Sequence, residues 1–124
     1  MTAMKINYAL FFLTLSIFIS SCSNSNEVKI TVKDSDEEYQ FSAHFDENKS
    51  SKIKSVIDDH IAPTRISSEG GVDVTTILDD KTKFYLDYDP GDVLIRLNKN
   101  ENGKASYIRI KNMCEEIKKI IGEK

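Results

Sequence analysis

Apolar and polar residues alternate with period two along several stretches of the chain, and turn-forming residues separate those stretches. Val28, Ile30 and Val32 alternate with Lys29, Thr31 and Lys33, and Tyr39, Phe41, Ala43 and Phe45 alternate with Gln40, Ser42 and His44. Val72, Val74, Thr76 and Leu78 form a third such set, and Phe84, Leu86 and Tyr88 a fourth. Successive side chains of a strand point to opposite faces, so each set reads as a half-buried strand with one wet face. Asp34-Ser-Asp-Glu-Glu38 and Asp79-Asp80-Lys81 supply polar turns between them. In Asp89-Pro90-Gly91-Asp92 a proline with preset φ precedes a glycine free to take positive φ, as a type II turn requires. Val93 to Leu97 is nearly all apolar, the pattern of a central strand covered on both faces.

Two segments break this rhythm for a helical one. Ile53, Val56, Ile57 and Ile61 form one stripe, with Asp46 or Asn48 placed to cap it and Pro63 to stop it. Ile110, Met113, Cys114, Ile117, Ile120 and Ile121 form another, whose helix starts near Ala105 to Tyr107; Tyr107 to Ile110 could instead extend a strand. From Ala62 to Gly71 the chain has loop character. The order is β-β-α-β-β-β-α. The spacing therefore predicts an α+β fold, an antiparallel sheet of about five strands with two helices on one face, spanning 28–124 as a single domain.

The segment ahead of that domain is of a different kind. Residues 1–21 carry one charge, Lys5, and an apolar run from Tyr8 to Ile19 that is too short for a bilayer but fits an export signal. Met4-Lys5 would itself serve as a start. The run ends in Ile19-Ser20-Ser21-Cys22, which resembles the lipobox of bacterial lipoproteins: a branched apolar residue, two small residues and a cysteine. Leucine is commoner where Ile19 stands. The resemblance covers these residues only, and it implies cleavage before Cys22 with lipidation of the Cys22 thiol. An ordinary secretory signal or an uncleaved anchor would share the apolar run, but neither calls for a cysteine directly behind it.

Several consequences follow from that resemblance. Residues 22–27 become a polar tether, and two acyl chains on Cys22 meet the requirement for stable anchoring. Ser23 stands where enterobacterial lipoproteins retained at the inner membrane carry Asp, so the expected address is the outer membrane, facing the periplasm. A Gram-positive host would place the anchor at the cell surface instead. With Cys22 acylated, Cys114 has no disulfide partner, and its place in the helical stripe marks it as a buried hydrophobe.

Composition and motifs narrow the functional classes. Seventeen Lys+Arg against 20 Asp+Glu leaves no basic excess to neutralise phosphates, so nucleic acid is not an expected partner. The two histidines, His44 and His60, occur in no zinc-binding spacing and read as solvated surface. Asp87-Tyr-Asp89-Pro-Gly91-Asp92 superficially resembles the start of a calcium loop, yet Asn98 stands where the bidentate Glu belongs, and a hairpin turn explains it better. No nucleophile has an identifiable base, and no cofactor motif occurs, so neither catalysis nor a cofactor is expected. In the predicted sheet Ile77, Tyr85 and Leu94 point away from the helices, and exposed apolar residues often mark partner sites. The expected function is a small non-catalytic module that binds an envelope protein, as an inhibitor, immunity protein or accessory subunit. The alternative is a lipoprotein that binds a small molecule or cation through the sheet face and acidic turns.

Overall fold

A computed structural model of the chain describes residues 27–66 and 70–123, so Cys22, its signal and nearly all of the tether lie outside the described residues. The elements run β1 (Lys29–Asp34), β2 (Glu38–His44), α1 (Ser50–Ile61), β3 (Val72–Ile77), β4 (Lys83–Asp89), β5 (Asp92–Asn98) and α2 (Lys104–Gly122). This is the expected α+β order. The strands form one sheet in the spatial order β1-β2-β5-β4-β3, with every neighbouring pair antiparallel.

Over the three inner strands one side of the sheet is buried and the other is open. The half-burial expected of β1 and β3 is not reached at Val28, Val32 and Val74, which are exposed because these edge strands lie beyond the cover of the helices. Tyr39, Phe41, Ala43, Phe84, Leu86, Tyr88, Val93, Ile95 and Leu97 all turn inward and join a single core with the stripes of both helices. Each fully buried Ile, Leu or Phe contributes on the order of 1.5–3 kcal/mol by leaving water. Ile66, from the loop after α1, also reaches this core, as does Leu78, the residue after β3. The closing segment is helical from Lys104, so Tyr107 to Ile110 begins a helix and does not extend a strand.

The turns behave as their residues dictate. Asp89 pairs with Asp92 across Pro90-Gly91, and Gly91 has a φ of +90°. The Gly91 N–H donates to Ser50 Oγ at 3.0 Å and its carbonyl accepts from the Phe45 N–H at 2.9 Å, which docks the hairpin on the start of α1. Asp46 caps a single 3-10 turn, Glu47–Lys49, that leads into α1.

The expectation for β5 needs correction. It is the central strand, but only one of its faces is covered: Val93, Ile95 and Leu97 are buried, while Leu94 is half-buried and Arg96 exposed. Both helices occupy the Ile95 side, so among the described residues no element packs over Leu94. The expectation that both histidines are merely solvated is also incomplete. His44 Nδ1 lies 2.9 Å from Asp92, and His60 Nε2 lies 2.6 Å from Glu116, across the gap between the helices.

Long polar side chains close the ends of the helical layer. Arg109 donates two hydrogen bonds, at 3.1 and 2.8 Å, to the His60 carbonyl, one of the orphan acceptors at the end of α1. Its other nitrogen lies 2.7 Å from Asp80, which ties α2 to the β3–β4 turn. Hydrogen bonds from Thr82, its backbone N–H first, and then the Arg109 contact hold the Asp80 carboxyl down to about 2. Lys49 donates to the Ile121 carbonyl at 2.9 Å and to that of Glu123, capping α2 with a cation where the helix dipole favours one.

Candidate functional site

The face of the sheet opposite the helices is left uncovered by them. Strand pairing fixes its content, because residues opposite each other share a face. From edge to edge it carries Lys29, Thr31 and Lys33 of β1; Glu38, Gln40, Ser42 and His44 of β2; and Asp92, Leu94, Arg96 and Asn98 of β5. Lys83, Tyr85, Asp87 and Asp89 of β4 follow, and then Asp73, Thr75 and Ile77 of β3.

Ile77, Tyr85 and Leu94 all lie on this face. Tyr85 stands opposite Thr75 on one side and Arg96 on the other, with Ile77 and Leu94 at diagonal positions. Ile77 is 62% exposed, whereas Tyr85 and Leu94 are half-buried. The three form one diagonal row across β3, β4 and β5 with Tyr85 in the middle, flanked by charged and polar residues such as Lys83, Asp87 and Arg96. Tyr85 is also the hub of a polar cluster.

That cluster has defined geometry. The Tyr85 hydroxyl donates to Asp73 Oδ1 at 2.6 Å, and the Arg96 guanidinium lies 4.7 Å from the centre of the Tyr85 ring. The hydrogen bond to Asp73 raises the Tyr85 phenol above its ordinary range, because ionisation would oppose two negative groups. Cation–π attraction and the short hydrogen bond hold the ring between Asp73 and Arg96. Asp73 and Arg96 were not among the sequence candidates. The signal for Arg96 was present, because a two-residue turn pairing Asp89 with Asp92 must set position 96 beside 85.

Along the same face a shallow trough of about 460 Å³ runs from Lys29, Thr31 and Lys33 past Gln40, Ser42 and His44 to Asp87, Asp89 and Asp92. One bank is basic and the other acidic. Among the described residues no group of three or more His, Cys, Asp or Glu is arranged to hold a metal ion. A second hollow, of about 770 Å³, lies between α1 and the hairpin turn, where Lys54 and Asp58 pair at 3.2 Å beside Ser51 and Arg65.

The remaining thiol is not part of any surface site. Cys114 is buried on α2, and desolvation pushes its thiol up to about 12. The Tyr39 hydroxyl beside it is buried and has no well-formed hydrogen bond among the described residues. A neutral, apolar, inaccessible thiol of this kind is the reverse of the electropositive, part-exposed setting that activates a cysteine.

No protein family, curated protein or solved structure matches the chain when it is compared with them. The reading of the site therefore stands on its own residues.

Proposed function

We propose that the chain is a lipid-anchored envelope protein, held by Cys22, whose domain binds another protein of the envelope without catalysing a reaction. The observation that carries the binding half is the uncovered sheet face. It is broad, rigidly backed by a continuous core, and dressed with a mixture of Tyr, Arg, Leu, Ile and carboxylates. Tyr and Arg are the side chains most often found as anchors at protein interfaces. The anchoring half rests on the resemblance of Ile19-Ser20-Ser21-Cys22 to a lipobox. By the same resemblance, Ser23 favours the outer membrane.

The trough between the Lys29/Lys33 bank and the Asp87/Asp89/Asp92 bank favours a second reading, a small zwitterionic or cationic ligand. Calcium that raises the melting temperature would support that reading over a protein partner.

The test of the first reading has two arms. Labelled fatty acid should enter the wild-type chain in bacteria and be absent from Cys22→Ala; a labelled Cys22→Ala, or an unlabelled wild type, sinks the anchor. From detergent extracts the wild type should then co-purify one protein in stoichiometric amount. The Tyr85→Ser, Leu94→Ser double variant should lose that protein, and a pull-down that the variant leaves intact removes the open face from the interface.

A further inference from the structure

We infer that the two edges of the sheet are complementary, and that copies of this chain join side by side through β3 of one copy and β1 of the next. The inference deepens the reading of an anchored interaction module by naming one partner, a second copy. It begins from where the exposed apolar residues lie. Among the described residues the exposed large hydrophobics are Val28, Val32, Val74, Ile77 and Ile108. All but Ile108 lie on the edge strands or directly beside them. Both edges thus reach past the cover of the helices, and each also presents a row of unpaired backbone groups to solvent.

Three edge-to-edge pairings are open to a sheet of this kind, and charge separates them. Two β1 edges meeting about a two-fold axis centred on Thr31 would set Lys29 of each copy against Lys33 of the other. Like charges brought together across strands are destabilising. Two β3 edges meeting the same way, about Thr75, would set Asp73 of each copy against Ile77 of the other, so neither carboxylate gains a cation. The third pairing, β3 with β1 of another copy, unites the acidic edge with the basic one.

The register of that third pairing matches on both faces. All neighbouring pairs in the order β1-β2-β5-β4-β3 are antiparallel, so β1 and β3 run in the same direction and the new ladder is parallel. Setting Lys29 beside Asp73 puts Thr31 beside Thr75 and Lys33 beside Ile77 on the open face. On the helix side the same register sets Val28 beside Val72, Ile30 beside Val74 and Val32 beside Thr76. Val28 and Val74 thus each meet an apolar side chain, Val72 and Ile30, while Val32 meets Thr76, Ile77 meets the stem of Lys33, and the one acidic side chain of the β3 edge meets a lysine. A single six-residue ladder is a small interface, so pairing in free solution is weak. Confinement on a membrane raises the effective concentration and favours it. Strand twist accumulates through each copy, so the runs on a membrane are short.

Disulfide trapping in intact cells tests this on the full chain. Thr31→Cys with Thr75→Cys, mildly oxidised, should give dimers and trimers, while each single variant stays monomeric. Dimers from Thr75→Cys alone would mean a two-fold β3 contact, dimers from Thr31→Cys alone a two-fold β1 contact, and either overturns the inference. So does a double variant that remains monomeric. Adding Asp73→Lys should cut the trapped yield about fivefold, the effect of replacing an opposite-charge pair by a like-charge one. Adding Lys29→Asp to that variant should restore it, and a yield indifferent to both changes removes the charge argument. Fatty-acid labelling on the same samples separates the two ideas: label without trapped oligomers sinks the edge pairing and leaves the anchor standing. Where no label enters, the same oxidation of the purified chain at high concentration decides the edge pairing alone.

Discussion

The two faces of this sheet are built from alternate residues of the same strands, yet different physics holds each. On the helix side Phe84, Leu86, Tyr88, Val93, Ile95 and Leu97 are almost completely buried, and their contribution comes from area removed from water. On the other side Tyr85, Asp87, Leu94 and Arg96 meet solvent, and what organises this face is the Tyr85–Asp73 hydrogen bond, the Tyr85–Arg96 ring–guanidinium contact and the exposed His44–Asp92 pair. Such contacts are individually weak and screened by salt. The first face makes the fold. The second is free to carry a partner, because little of the stability depends on it.

The largest effect should come from moving a polar group one residue along β4. Phe84→Ser with Leu86→Ser removes two fully buried side chains, at about 3–5 kcal/mol for the aromatic and 2–5 for the leucine. That sum approaches the whole stability of a domain this size, so circular dichroism should show an unfolded chain at room temperature. Tyr85→Ser with Leu94→Ser should shift the melting temperature by only about 5 °C and leave the far-UV spectrum native. Unfolding by the second pair would erase the contrast between the faces, and with it the binding surface.

An intermediate effect belongs to Cys114, which tests the depth of the covered face. Cys114→Ser should cost about 1 kcal/mol, at the low end for a buried hydroxyl, because the Tyr39 hydroxyl lies beside it to pair with. Alkylation should be slow in the native state and rapid in denaturant. The sign of the pH dependence follows from burial: the native thiol keeps its proton up to about 12, while the unfolded thiol ionises near its ordinary value of 9.0. Unfolding therefore releases a proton above that value, and stability should fall as pH rises from about 9 towards 12. Cys114→Ala should flatten this part of the denaturation profile. Fast native alkylation would place the thiol outside the core.

The same contrast explains how much was legible in the sequence. Period-two alternation marked the strands, and period 3.6 marked both helices. In β2, β4, β5 and the helices that apolar record is one of burial, whereas in the edge strands β1 and β3 it stands over residues that are exposed, Val32 and Val74. The Pro90-Gly91 turn was equally plain, since only glycine among ordinary residues takes a φ of +90° without strain. Val93 to Leu97 misled for a physical reason. Leu94 is apolar but half-exposed, and a lone leucine on a wet face leaves the same letter as one in a core. The Asp73–Tyr85–Arg96 cluster was harder to see, because it unites three strands and no local pattern requires it. Only strand register brings those residues together. His60 escaped for a similar reason, since its partner Glu116 is on the other helix.

The smallest effect should be confined to the open face and read at one proton. Tyr85 donates its hydroxyl to Asp73 at 2.6 Å, and the carboxylate there makes phenolate formation harder. Asp73→Asn keeps an acceptor at the same place but removes the charge, so the Tyr85 phenol should titrate closer to its ordinary value of 10.0. The step is measurable by tyrosinate absorbance, with Tyr85→Phe identifying which of the tyrosines produces it. The melting temperature at neutral pH should barely move, since an exposed hydrogen bond exchanges readily for one to water. Because the native phenol is raised relative to the unfolded one, Asp73 also makes the fold lose stability as pH climbs past 10, and Asp73→Asn should lessen that loss. A Tyr85 titration that ignores the substitution would mean the hydroxyl points elsewhere in solution, and that the ring is held by Arg96 alone.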